Sequence, residues 1–267
     1  MPLSNCLVIQ SRQNPRIKDL VRLKDDARER RKEGLFVIEG SHELMEAILY
    51  GIRLSAWYLS QSVADRSGEA LRQQYPDLPE PVILAEPVFE KVSGRQNPDG
   101  ILAVGCIPAA PDVDAILSKN KPVLILEGVE KPGNLGAIIR SAAAFGVDAI
   151  FLNRGKVDPW HPQVIRNSRG HSMGLSILEL DPTETYDCLK AHGYSIGATT
   201  PQGDHMLGEV TYPKATAWVF GSEHSGLDSF WLNAADHQVR IPMPGTVDSL
   251  NVGIAVAIVL YEMVRNP

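Results

Sequence analysis

The stretch that decides the fold runs from residue 123 to residue 146 and reads VLILEGVEKPGNLGAIIRSAAAFG. It opens with an unbroken apolar run, Val123 to Leu126, which is typical of a strand covered on both faces in a parallel sheet. Gly146 then ends a predicted helix whose apolar side chains recur at the spacing of one helix face, at positions 135, 138, 139, 142 and 143. A strand followed by a helix is the repeating unit of an α/β fold.

The sequence after this stretch continues the alternation of strands and helices. Further strands are predicted at 149–152, 194–198, 217–220 and 238–241. Helices are predicted at 161–169, 183–191 and 227–233, and an apolar helix from Leu250 to Val264 closes the pattern. We therefore expect a parallel sheet. We also expect the terminal helix to be buried, with a dimer interface as one means of burial.

The residues before 107 predict a smaller, separate α/β domain. Its helices are predicted at 14–32, 42–50 and 68–74, with Gly34 ending the first of them. Its strands are predicted at 35–38, at 56–59 and near Val82 and Ile101. The Pro- and Ala-rich stretch 107–120 has the composition of a linker. The expected organisation is a domain at 1–106, a linker at 107–120 and a domain at 121–267.

Composition limits the cellular setting. The amino terminus has no basic segment followed by an apolar one, and the longest apolar run, 252–260, is only 9 residues long. We therefore expect a protein that is neither secreted nor membrane-spanning. The chain has 3 cysteines, far apart and without a CxxC pair, which fits a reducing compartment. Both observations predict a cytoplasmic protein.

Charge is distributed unevenly along the chain. The net charge of −6 argues against non-specific coating of nucleic acid, which Lys and Arg would have to drive. Between Arg12 and Lys32, however, nine Lys or Arg residues stand against four acids. The residues alone leave two interpretations open: an RNA-facing patch, or a solvated helix face with paired charges.

Four loops are expected to carry the chemistry, because ligands of parallel sheets bind beyond the carboxyl ends of the strands. They follow Leu126, Ala198, Phe220 and Ile241, and they are rich in Gly, Ser, Asn and Pro. The first brings Gly and Asn to a helix amino terminus, where backbone amides can hold an anion. Taken singly, the first loop indicates a structural turn, and the segment 249–251 indicates a helix cap.

Three motifs in order resemble the SpoU-type RNA ribose 2′-O-methyltransferases of the SPOUT superfamily. They are PGNLGAIIR at 132–140, VFGSE at 219–223, and IPM at 241–243 with SLN at 249–251. The segments 14–18 and 36–40 resemble the amino-terminal, ribosomal-protein-like domain that binds substrate in this family. The resemblance implies a small α/β RNA-binding domain followed by an α/β methyltransferase domain with a parallel sheet, threaded into a trefoil knot, a rare topology.

The resemblance also implies a cofactor, partners and site residues. The cofactor is S-adenosylmethionine, the chain is a homodimer, and the partner is structured RNA. The implied cofactor-binding residues are Thr199, Gly221, Ile241 and Leu250. The implied catalytic residues are Asn134, Arg140, Glu223, Ser249 and Asn251. The RNA-binding candidates are Arg12, Arg16, Lys18, Arg28, Arg166 and Arg169, with plain surface charge as the alternative for Arg169.

The chemistry requires no metal, because the methyl group of a sulfonium is already activated. A guanidinium is effectively always protonated, so we expect Arg140 to orient the hydroxyl and its phosphate rather than act as a base. Glu223 can orient Arg140 or Asn134, or accept the proton if burial raises its pKa. No histidine spacing typical of a metal site is present, and no GxSxG surrounds Ser222 or Ser225. Lys131 and His224 depart from the family pattern.

The sequence thus predicts methyl transfer to a ribose 2′-hydroxyl of structured RNA, with ribosomal RNA preferred. The same reaction on transfer RNA is an alternative. A knotted RNA-binding protein without activity and a methyltransferase of a protein or small molecule are further alternatives. Asn134, Arg140, Glu223, Ser249 and Asn251 speak against the first of these, and the basic amino-terminal domain speaks against the second.

Overall fold

The computed structural model describes residues 6–209, 211–222 and 225–265. The chain divides into two units. The first contains residues 1–108 and 160–174, and the second contains residues 109–159 and 175–267.

The first unit is built on a mixed sheet. Its strands are β1 (Val8–Ile9), β2 (Leu35–Glu39), β3 (Leu54–Ser60), β4 (Val82–Leu84) and β5 (Ile101–Cys106). In the described residues their order is β1-β4-β3-β5-β2, and β5 runs antiparallel to both of its neighbours. Side chains alternate between the two faces of a strand. Phe36 and Ile38 therefore enter one apolar cluster and Val37 enters the other.

Five helices cover this sheet between residues 6 and 106, the described part of the chain before residue 107. They are α1 (Pro15–Asp25), α2 (Ala27–Glu33), α3 (Ser41–Leu49), α4 (Gln61–Gln74) and α5 (Glu86–Val92). The prediction of one helix over 14–32 was wrong, because Asp26 leaves helical geometry and its side chain accepts from the Arg28 amide at 2.7 Å. Arg30 is buried and donates to the carbonyl of Leu23 at 2.7 Å, which closes the break. One of the nine cations is therefore structural.

The second unit is built on a parallel sheet, which confirms the predicted fold class. Its strands are β6 (Val123–Glu127), β7 (Ala149–Asn153), β8 (Ser176–Glu179), β9 (Ser195–Thr199), β10 (His205–Met206), β11 (Thr216–Phe220) and β12 (His237–Arg240). In the described part of the chain their order is β10-β12-β9-β11-β6-β7-β8, and every pair is parallel. The sequence predictions missed β8 and β10.

Helices flank the parallel sheet. Those of the second unit are α6 (Val113–Leu117), α7 (Pro132–Ala144), α9 (Pro182–Ala191), α10 (Ser229–Ala234) and α11 (Val252–Arg265). The last of these packs against α7. Burial of α11 was predicted and holds for only one face, since Ile254, Tyr261 and Val264 are more than half exposed. Within the described ranges, no helix combines the length and the apolar character that crossing a membrane requires.

The segment 160–174 was predicted to lie in the second domain but belongs to the first unit. It contains α8 (Pro162–Asn167) and a short 3₁₀ helix (His171–Met173). The Trp160 ring lies 4.7 Å from the Phe36 ring, between centroids, and Ile165 and Met173 join the same apolar cluster. Local spacing cannot reveal such contacts. The first boundary between the two units falls directly after Pro108, inside the predicted linker.

Candidate active site

The four loops singled out in the sequence meet at one edge of the parallel sheet. Strands β12, β9, β11 and β6 are consecutive neighbours, and all run in the same direction. The segments that follow their carboxyl ends therefore lie side by side, as ligand-binding loops of parallel sheets do.

Cavity one, of about 370 Å³, lies among three of these loops. Its walls come from 199–202 after β9, from 220–222 and 225–227 after β11, and from the segment 241–255 after β12. All four residues predicted to bind cofactor line it: Thr199, Gly221, Ile241 and Leu250. Its volume lies within the range of small-molecule sites.

Cavity two, of about 390 Å³, adjoins cavity one. It is lined by residues 128–131 and Asn134, at the start of α7. Ser222, Ser225 and Val252 line both cavities. The two cavities therefore adjoin at these three residues.

Asn134 and Asn251 join the first motif to the third. Asn251 donates from Nδ2 to Oδ1 of Asn134 at 3.1 Å, and its own Oδ1 accepts from the Gly253 amide at 2.9 Å. The Asn251 carbonyl also accepts from the amides of Ile254 and Ala255 at 3.0 Å. Asn251 is thus both the amino-terminal cap of α11 and a partner of Asn134. The two interpretations that the sequence left open, a helix cap and a site residue, are therefore compatible.

The other predicted catalytic residues are placed differently. Ser249 is exposed and lines cavity one. Arg140 lies six residues after Asn134 on α7, which is about 120° away around a helix of 3.6 residues per turn. Its side chain is exposed and lines neither cavity. Glu223, together with His224, lies outside the described residues.

The predicted RNA-binding cations all lie in the first unit. Arg16, Lys18 and Arg28 are exposed. Arg12 is also exposed, and its Nε donates to the Pro87 carbonyl at 2.8 Å. Arg166 and Arg169, at 160–174, join this unit through the apolar contacts of that segment.

Three charged residues beside the cavities were not predicted from the sequence: Glu127, Arg154 and Asp228. A signal for one of them existed, because Glu127 closes the otherwise apolar run of β6 and is buried. A buried carboxylate requires partners.

Comparison with known proteins identifies the family. Residues 121–261 match the SpoU rRNA methylase family model. The chain belongs to that family. Residues 14–103 match the MRM3-like substrate binding domain. The enzyme is 34% identical to an uncharacterised tRNA/rRNA methyltransferase, slr1673, of Synechocystis sp., over 98% of this chain and 95% of that one.

Two further relatives extend over nearly the whole enzyme. The 23S rRNA (guanosine(2553)-2′-O)-methyltransferase RlmP of Bacillus subtilis is 30% identical over 96% of this chain and 98% of its own. A solved RNA 2′-O ribose methyltransferase is 36% identical, with a TM-score of 0.81 over 97% of this chain and 99% of that one. The family predicted from the three motifs is confirmed: the protein is an S-adenosylmethionine-dependent RNA methyltransferase of the SpoU family.

Cavity one fits this cofactor chemically. Thr199 Oγ1 is buried and, within the described part of the chain, has no hydrogen-bond partner, so it is available to a polar ligand group. Ile241, Leu250 and Val252 offer an apolar surface for a flat ring. The combination of an apolar lining with a few polar groups is usual for nucleoside sites.

Gly221 gives a first testable consequence. A Cβ at this position would lie 2.1 Å from the carbonyl carbon and 2.2 Å from the oxygen of Gly226, and these backbone atoms cannot yield without opening the turn. We expect Gly221→Ala to raise the Kd for S-adenosylmethionine at least about tenfold in titration calorimetry. The control is Gly155→Ala, whose Cβ would meet nothing closer than 3.7 Å. An unchanged Kd for Gly221→Ala would contradict this assignment of cavity one.

Proposed function

We propose that the enzyme transfers a methyl group from S-adenosylmethionine to a ribose 2′-hydroxyl of ribosomal RNA. Cavity one would hold the cofactor and cavity two the target ribose. The observation that carries the proposal is the wall that the two cavities share, formed by Ser222, Ser225 and Val252. Methyl transfer requires donor and acceptor atoms within contact distance and in line, and two adjoining cavities would allow donor and acceptor to lie side by side.

Residues of the chain have to align the hydroxyl and remove its proton. The cofactor, when bound, supplies an activated methyl group. Asn134 is placed to hydrogen-bond the ribose, because its Oδ1 is fixed by Asn251 while its own amide nitrogen can donate. The first turn of α7, which begins at Pro132, favours a phosphate beside cavity two. Glu223 is our candidate proton acceptor, and Arg140 orients the hydroxyl and its phosphate.

The enzyme would work as a homodimer, with α7 and α11 in the interface. Ile254, Tyr261 and Val264 form an exposed apolar stripe on α11. Arg140 lies on the exposed side of α7, the helix against which α11 packs. A second copy covering this surface would bury the apolar stripe and would bring Arg140 to the site of its partner. Knotting of the second unit and location in the cytoplasm complete the proposal.

Ribosomal RNA is favoured over transfer RNA by the relatives. RlmP, similar over nearly its whole length, is a 23S rRNA methyltransferase by name. Other relatives are named as tRNA/rRNA methyltransferases, which supports transfer RNA as the second candidate. The exposed cations of the first unit suit either RNA, because phosphate contacts position a nucleic acid without reading its sequence.

The test is transfer of radiolabelled methyl to unmodified, size-fractionated RNA, followed by alkaline hydrolysis. We expect label in the large ribosomal RNA at a backbone position that resists cleavage, because a methylated 2′-oxygen cannot attack its phosphate. Label at a cleavable position would indicate base methylation and contradict the proposal. Label in the transfer RNA fraction would favour the second candidate, and no label despite cofactor binding would favour a non-catalytic RNA-binding protein.

A further inference from the structure

Three charged side chains form a bridge at the carboxyl edge of the parallel sheet. Nη1 of Arg154, just after β7, donates to Oε1 of Glu127 at 3.2 Å and also to Oδ2 of Asp228. The second oxygen of Glu127 accepts from the backbone amide of Asp228 at 3.1 Å. Glu127 is only 5% exposed, whereas the Arg154 side chain reaches solvent. We call these three residues the carboxylate bridge.

The carboxylate bridge is attached to the described residues of the turn after β11, 221–222 and 225–228, of which Ser222 and Ser225 line both cavities. Asp228 ends this turn and caps α10, accepting from the amides of Phe230 at 2.9 Å and Trp231 at 3.3 Å. Within the turn, the Gly226 amide donates to the Ser222 carbonyl at 3.0 Å, and the two residues form a β-bridge. Asp228 thus lies two residues after Gly226, which these contacts join to Ser222.

The other end of the bridge lies next to cavity two. Glu127 is the last residue of β6, and the residue that follows, Gly128, lines cavity two. The bridge thus links the loop after β6 to the turn after β11. A shift of a few tenths of an ångström at Asp228 would alter the walls of both cavities.

We propose that Glu127 and Arg154 are positioning residues, which hold residues 221–222 and 225–228 in the arrangement that binds S-adenosylmethionine. The proposal rests on the assignment of cavity one to the cofactor. Neither side chain lines either cavity, so both act through Asp228 and the turn.

The charges explain why Arg154 is needed. Burial raises the pKa of Glu127, the hydrogen bond from the Asp228 amide lowers it, and the Asp228 carboxylate raises it again. Asp181 also faces Arg154. Without the guanidinium, the carboxylates of Glu127 and Asp228 would be neighbours with no other cation from the described residues paired to them. Their repulsion would push Asp228 away from β6 whenever both are ionised.

The test is Arg154→Met, which keeps an unbranched side chain and removes the charge. At about pH 8 we expect the Kd for S-adenosylmethionine to rise about tenfold, the loss typical of one charge-assisted hydrogen bond, with kcat at saturating cofactor within about twofold of the wild type. As the pH is lowered from about 8, the Kd of the variant should recover in part, because burial raises the pKa of Glu127 and its protonated carboxyl can donate to Asp228. Hydrogen exchange of the amides at 225–228 should be faster in the variant without any ligand.

The double variant Arg154→Met with Glu127→Gln provides the rescue. The glutamine amide can donate to the Asp228 carboxylate, so we expect Kd and hydrogen exchange at about pH 8 to return to within about threefold of wild type. Lys119→Met is the matched control, because Lys119 forms an exposed ion pair with Asp148 at 3.0 Å in the same unit. Its Kd should equal that of the wild type.

Three results would overturn the proposal. One is a wild-type Kd and wild-type exchange in Arg154→Met. Another is a Kd that does not depend on pH, and a third is a double variant as defective as the single one, since a purely structural loss predicts no rescue. A failure of the proposed function can be distinguished from a failure of the positioning role of Glu127 and Arg154. If the wild type itself binds no S-adenosylmethionine, the exchange of amides 225–228 still reports whether the bridge holds the turn.

Discussion

Replacing Asn134 by alanine is expected to lower kcat for methyl transfer by about 10²–10³-fold, with the Kd for S-adenosylmethionine within about threefold of wild type. The location of Asn134 explains why kcat should fall while cofactor affinity is kept. Asn134 lines cavity two and not cavity one, and its Oδ1 is engaged by Asn251 at 3.1 Å. The amide nitrogen is therefore aimed by a fixed partner, and its loss removes an orienting donor from the acceptor side of the reaction.

The measurement is single-turnover methyl transfer at saturating RNA, with cofactor binding measured by calorimetry. The variant Asn134→Asp tests the donor role directly, because its carboxylate still accepts a hydrogen bond from Asn251 but cannot donate one to a ribose. We expect its rate to fall nearly as far as that of the alanine variant. Asn233→Ala, an exposed site on α10, is the control and should leave the rate unchanged. A fall in cofactor affinity as large as the fall in kcat would place Asn134 in the cofactor site instead.

Much of the second unit was predictable from local pattern. The run Val123 to Leu126 is apolar because both faces of β6 are covered, and its neighbours β7 and β11 show the same composition. The short strands β8 and β10 escaped prediction, since β10 has only two residues and β8 is only partly buried. At Asp26, a capping side chain outweighed the helical spacing of α1 and α2.

The residues of the site that follow the ends of neighbouring strands could be predicted from the sequence. The contacts between residues far apart in the sequence could not. Thr199, Gly221 and Ile241 meet because parallel strands deliver their loops to one edge. Glu127 and Asp228 are 101 residues apart in sequence, and no local spacing records their contact. The same holds for Trp160 on Phe36, which draws Arg166 and Arg169 into the first unit.

Replacing Arg140 by alanine is expected to lower kcat by about 10³-fold, with cofactor affinity unchanged. Arg140 is exposed and lines neither cavity of its own chain, so the expected loss is not explained by contacts within one protomer. A symmetric dimer through α7 and α11 would place each Arg140 at its partner's cavity two. Lys119→Ala, which removes one exposed cation at 52% side-chain exposure, is the control for net charge and should leave kcat unchanged.

Mixed dimers separate action on the partner's site from action within one chain. When Asn134→Ala and Arg140→Ala chains are co-expressed in equal amounts, about half of the dimers carry one chain of each kind. If Arg140 serves the partner's site, each mixed dimer keeps one site with both residues intact, and the mixture should show about a quarter of wild-type activity. If Arg140 serves its own chain's site, every site in the mixture lacks one residue and activity stays at the level of the single variants. Activity at that low level, with dimers verified by light scattering, would contradict the shared site and would require α7 to turn Arg140 toward its own cavity two.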